Sequence, residues 1–339
     1  MNIIENIMPF TGFANLNFIN CFTNMYMSIE GYDGTEECYC GGKLIVCEDC
    51  TGCKTSPAKK QEQLFFYFGT MTGHTSIRWQ FEGQSDMEIK LTDTDDLIDF
   101  AMKFVGYDYA KYTSDFIGHI TASIDGNKPV IAEMKDTSHG KYRLINGYEG
   151  DNLVCPNFAN VQNIPQSVPT CDEIAAVYVV KSKVERQYTT KDAFKRIAEV
   201  MEFNLTNDLW STFTKRFDRY DYNDISIEEL QKWYKRTEHV MWYTFNCHNF
   251  SETFCCDLYH QTDNAELRER YLKINNAYGS THDTCWQVIA LANTRDLTKK
   301  YYNELEWGNG NTIRQLIERL RENDTQVLEL IKECISIMR

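Results

Sequence analysis

The sequence predicts an α+β protein in two parts, a mixed N-terminal domain over residues 1–182 and an all-helical domain over 183–339. Three observations carry this reading. Short runs such as Glu88-Ile-Lys-Leu-Thr and Glu173-Ile-Ala-Ala-Val-Tyr-Val-Val have strand character and stop near Lys181. Beyond that point apolar residues recur at helical spacing, beginning with Phe194, Ile197, Val200 and Met201 behind a capping Thr190. The chain has 339 residues, 42% of them hydrophobic and 13% aromatic, enough for two domains that each bury a core.

The opening Met1 to Phe10 is apolar, but it has no basic residue ahead of it and no small-residue cleavage site, so it does not read as a signal peptide. No apolar run reaches the roughly 18 residues of a membrane span. A cytoplasmic protein is expected. The formal charge of −14 argues against binding nucleic acid or an anionic membrane, because phosphate and lipid headgroups repel so acidic a surface. Thirteen cysteines in a reducing compartment are thiols or metal ligands rather than disulfides, and an odd number cannot pair fully within one chain.

The first predicted helix starts at Asn20-Cys21 and is closed by Gly31. Leu64-Phe-Phe-Tyr-Phe and Ser76-Ile-Arg-Trp-Gln-Phe fit a strand or a buried helical segment, between which an apolar run alone does not choose. A helix follows over Asp95 to Phe104. Lys128-Pro-Val-Ile-Ala-Glu and then Ser138 to Pro156 read as three consecutive strands of a small sheet. The later helices are expected near Glu228–Trp242, Ala265–Ala277, Thr284–Asn303, Asn311–Arg321 and Thr325–Met338, with capping-box spacing at Ser226 and Glu229.

Thiol catalysis needs a thiolate, a base or cation to hold it, and donors for the oxyanion of the tetrahedral intermediate. Cys21 at a helix N-terminus supplies the first, since the helix dipole there favours the thiolate. Asn15 and Asn20 are amides able to serve the oxyanion. The competing reading of Cys21 is a buried helix cysteine, one of the commonest fates of that residue.

The strand run Lys128-Pro-Val-Ile-Ala, then Lys141-Tyr-Arg-Leu-Ile-Asn-Gly-Tyr-Glu-Gly-Asp-Asn-Leu-Val-Cys-Pro, resembles the double-glycine leader peptidase domains of bacteriocin exporters. More closely, it resembles the N-terminal domain of the butirosin-biosynthesis acyltransferase family. The second half is similar to that family too: Val177-Tyr-Val-Val leads into a helical domain, and Ala277-Tyr-Gly-Ser-Thr-His-Asp-Thr-Cys-Trp stands where the family has a Gly-rich stretch between helices. The resemblance implies a papain-like fold followed by an all-α domain. It implies transfer of an acyl group from a carrier-protein thioester to an amine, or a relative that has lost activity. The partners it implies are an amine- or peptide-containing small molecule and an acyl carrier protein; self-association is left open.

Two departures matter. In those families a His opens the strand six residues before Gly-Tyr and an Asp or Asn precedes the Pro, whereas this chain has Lys141 and Cys155 there. An ordinary Lys stays protonated near neutral pH, so Lys141 cannot act as an imidazole does. His139, two residues earlier and on the same strand face, is the candidate base, with Glu133 or Asp136 to orient its ring. A solvent-exposed loop residue is the competing reading of His139. Without a base, Cys21 can still accept an acyl group with Lys141 as a fixed cation. Such a site forgoes general acid–base help, which is worth roughly 10²–10⁴-fold.

An insertion over about residues 36–56 holds Cys38, Cys40, Cys47, Cys50 and Cys53. C-x2-C with further cysteines nearby lets two thiolates of one knuckle share an ion, and four of the five suffice for a tetrahedral structural zinc. C-x2-C-x2-C also occurs in iron–sulfur ligation, and free thiols are a third reading. Cys247, His248, His260, His282, Asp283 and Cys285 fall on separate helical segments and read as scattered core and surface residues. Asp221 to Glu229 lacks the glycine and glutamate of a calcium loop.

Overall fold

A computed structural model describes residues 1–5, 7, 17–31, 57–76, 80–82, 88–90, 95–136, 142–156, 170–208, 210, 226–292 and 311–338. The architecture is α+β, mostly helical, with antiparallel sheets. It divides into two compact units, one of Met1–Thr72 and Asp93–Thr189, the other of Gly73–Thr92 and Thr190–Arg339.

In the first unit the elements are β1 (Asn2–Ile3), α1 (Asn17–Glu30), α2 (Pro57–Met71), α3 (Asp95–Val105), β4 (Tyr107–Tyr112), α4 (Phe116–Asp125), β5 (Val130–Met134), β6 (Tyr142–Ile145), β7 (Gly147–Glu149), β8 (Asn152–Val154) and β9 (Ile174–Lys183). β2 (Gln80–Glu82) and β3 (Glu88–Lys90) form a hairpin in the second unit.

A four-stranded sheet of order β4-β9-β5-β6 organises the first unit, with β9 antiparallel to both β4 and β5. β4 and β5 therefore run parallel, with α4 as the crossover between them. Ile120 and Ile124 of α4 meet Val130, Ala132, Ile145, Ile174 and Val177 in an aliphatic core. The turn from α4 into β5 is fixed reciprocally: Lys128 N–H donates to the Ser123 carbonyl at 3.0 Å, and Ser123 Oγ donates to the Lys128 carbonyl at 2.9 Å.

Where the sequence predicts three strands of one small sheet after Lys128 there are four in two sheets: β5 and β6 join the four-stranded sheet, while β7 and β8 form a separate antiparallel pair to whose edge β1 adds. Gly147 is required there: a Cβ at this position would lie 2.7 Å from the Asn2 carbonyl oxygen. Gly106, at φ +81°, turns α3 into β4 under the Val184 carbonyl, 2.5 Å from where a Cβ would sit.

The second unit contains α5 (Thr190–Thr206), α6 (Ile227–Gln261), α7 (Ala265–Ala292) and α8 (Asn311–Ile337). α6 and α7 form an antiparallel pair, with Asn264 Oδ1 capping α7 by accepting from the Glu266 and Leu267 N–H groups at 3.0 and 3.2 Å. Two segments expected as helix pairs are single helices. α7 runs through Gly279 because Ile274, Ala277, Tyr278, Cys285, Val288 and Ile289 keep one buried face unbroken, outweighing the roughly 1 kcal/mol a helical glycine costs. α8 runs through Asn323-Asp324 because those side chains bond across the unit, Asn323 Nδ2 to Thr281 Oγ1 at 3.2 Å and Trp210 Nε1 to Asp324 Oδ2 at 2.7 Å. Leu64 to Phe68 is helical, within α2. Among the described residues no helix is long and apolar enough to cross a membrane.

Candidate functional site

α1 begins no later than Asn17, and Gly31 closes it in the left-handed conformation at φ +69°. Cys21 therefore lies in the second turn, inside the hydrogen-bonded ladder and not at the tip the sequence suggested. The helix dipole acts on groups near the first turn, so its pull on this thiol is reduced. Cys21 is 1% exposed and Asn20 5%. Burial runs all round the helix, including Phe18, Phe22, Thr23, Asn24 and Met25. Such a helix belongs in a core.

Two neighbours enclose it. Phe18 meets the Tyr142 ring edge-on at 5.4 Å, while Phe22 and Tyr26 meet Phe68 of α2 at 5.1 and 4.9 Å. A polar thread accompanies the aromatic one: Asn24 Nδ2 donates to the Asn20 carbonyl at 3.0 Å, and Gln61 Nε2 donates to Asn24 Oδ1 at 2.5 Å. The Phe18–Tyr142 contact brings the first turn of α1 against the first residue of β6.

The sheet face that carries Tyr142 also carries Glu133, which pairs with Tyr142 across β5 and β6. The Glu133 carboxylate accepts from Tyr178 Oη at 2.9 Å and lies 3.4 Å from Lys111 Nζ, which sits 5.2 Å over the Tyr178 ring. Glu133 is thus engaged by a phenol and an ammonium. Neither Lys111 nor Tyr178 stands out in the sequence; only their cross-strand register, Lys111 opposite Tyr178, brings them together.

Cys155 follows β8, packed against the aliphatic core with Cys171. Burial pushes its thiol up to about 12, and the nearby Arg143 guanidinium opposes this. It is a neutral thiol near pH 7, unlike the Asp or Asn that the family resemblance implies for its position. Arg143 was not legible as a site residue, because a charge in a strand reads as solvent-facing; here all four residues of β6 are buried.

Asn15, His139, Lys141 and the five clustered cysteines Cys38, Cys40, Cys47, Cys50 and Cys53 lie outside the described residues. Among the described residues no group of three or more His, Cys, Asp or Glu side chains is placed to hold a metal ion. In the second unit Cys247 and Cys285 are buried, while the His282 ring stacks on Phe245 at 3.9 Å. Compared with known proteins, the chain matches no family model, and no curated protein is significantly similar to it.

Proposed function

We propose that this chain is a papain-like binding or accessory protein that keeps the plan of the butirosin-type acyltransferases with Cys21 as a core thiol. The observation that carries this reading is the 1% exposure of Cys21, one turn inside a helix buried on every side. A nucleophile must meet its substrate, and a thiol is activated in an electropositive, partly exposed setting. Lys141 and Cys155, where the resembled families have His and Asp or Asn, point the same way. The five-cysteine insertion is assigned a structural zinc, and the setting a cytoplasmic one.

A second reading is supported by the Phe18–Tyr142 contact. It would let a thiol on α1 and a base preceding β6 share one end of the sheet, as a cysteine acyltransferase or amide hydrolase with Cys21 and His139 requires. Iodoacetamide labelling near pH 6, read by mass spectrometry, separates the two. Slow labelling of Cys21, no faster than the other cysteines, is the expected outcome; a Cys21 that alkylates far ahead of the rest overturns the accessory reading in favour of the enzyme.

A further inference from the structure

Arg143 has no place in either reading. It is the second residue of β6, 8% exposed, and alternation along the strand turns it away from the Tyr142 face, toward the side where Ile145 joins the aliphatic core. A guanidinium does not shed its proton in a protein. Removing it from water without a counter-charge costs several kcal/mol, so buried arginines are found paired.

Among the described residues Arg143 makes no hydrogen bond and no ion pair. Its electrostatic neighbour is the Cys155 thiol, which stays neutral and cannot balance it. Three carboxylates on neighbouring elements are engaged by other groups, and Asp151 and Asp172 lie beside Cys171. Glu133 is on the opposite face with Tyr178 and Lys111. Asp125 accepts from Asn2 and Tyr148, and Glu173 accepts from the Thr170 N–H. The flanking stretches 137–141 and 157–169 contain no Asp or Glu at all. Arg143 keeps 8% of its surface at solvent, which leaves a route for a small group.

We propose that Arg143 is the anchor of a site for a small-molecule oxyanion, a carboxylate or a phosphate group, gripped by two parallel N–H donors of the guanidinium fork. The partly buried Cys155 stands beside the anion as an uncharged wall. The site is independent of what Cys21 does.

The test is calorimetric titration of the full chain with sodium phosphate and with sodium acetate, at ionic strength held constant with chloride. Saturable binding of at least one anion is expected, weakened tenfold or more in Arg143→Met and less in Arg143→Lys, which keeps the charge but loses the fork. Binding of phosphate alone, or of acetate alone, identifies the ligand class. The absence of saturable binding by either anion, or equal affinity in Arg143→Met, overturns the proposal. Should that variant fail to fold, the native chain provides the answer through N-ethylmaleimide labelling at pH 8. Saturating anion should slow Cys155 at least threefold and leave Cys171, whose charged neighbours are Asp172 and Asp151, unchanged. Equal slowing of both, or of neither, refutes an anion at Arg143.

Discussion

The two faces of the four-stranded sheet are held by different forces. Toward α4 the contacts are aliphatic, Ile120 and Ile124 against Val130, Ala132, Ile145 and Val177, and the energy is area and dispersion without direction. Toward α1 the surface is aromatic and polar. Tyr142 and Tyr178 lie 6.4 Å apart, Glu133 is bonded to Tyr178 and Lys111, and Tyr107 Oη donates to Glu30 of α1 at 3.0 Å. A face built from shape tolerates volume-conserving exchange and is weakened by holes; a face built from directed bonds is weakened by single unpaired atoms. Arg143, a charge buried on the aliphatic side, is the residue for which an anionic ligand is proposed.

The largest effect should come from making a hole in the aliphatic face. Ile124→Ala, at a site 2% exposed on α4, should lower unfolding stability in urea by about 2–5 kcal/mol. A loss under about 1 kcal/mol would mean that α4 is not the main cover of this face.

The same face should also respond to alkaline pH. The Cys155 thiol is held protonated up to about 12 in the folded chain, whereas an unfolded cysteine ionises near 8.5. Between those values the folded state holds the extra proton, so this contribution is intact below about pH 8.5 and lost as pH rises toward 12. Cys155→Ser should therefore flatten the decline of stability over that window, by at most about 1.4 kcal/mol per pH unit. Urea midpoints at pH 8, 9 and 10 measure it. Parallel curves for the two proteins would place Cys155 in water and remove the wall proposed beside Arg143.

Local signals made much of the sheet unit readable. Gly31 closing α1, the helix starting at Asp95, the strand character of the run over 130–154 and the long strand β9 all follow from turn residues and periodicity within a few positions. What was not readable depended on partners far along the chain. The aromatic run in α2 is helical because Phe68 packs between Phe22 and Tyr26. Residues 73–92 group with the helical unit through contacts such as Thr75 Oγ1 to Ser251 Oγ at 3.0 Å. α7 and α8 continue through residues that locally favour breaks. The candidate site was legible only as residue types. The sequence marks Cys21, but its depth is set by α2 and β6 closing around α1, and Arg143 reads as solvent-facing because alternation says nothing about what covers each face of the sheet.

The smallest effect should lie on the polar face, and it tests whether that face is held bond by bond. Tyr178→Phe keeps the ring, its 6.4 Å approach to Tyr142 and the contact with Lys111, and removes one donor from Glu133. Lys111 remains within 3.4 Å of the carboxylate, so the acid is not left without a counter-charge. The loss should be about 1 kcal/mol, the net worth of a hydrogen bond whose acceptor keeps a second partner. Adding Lys111→Met removes the ammonium too, and the double variant should lose more than the sum of the singles, because each single leaves Glu133 one of these two partners. Additive losses would show that water already reaches the carboxylate, and that the two faces differ in composition but not in how they are held.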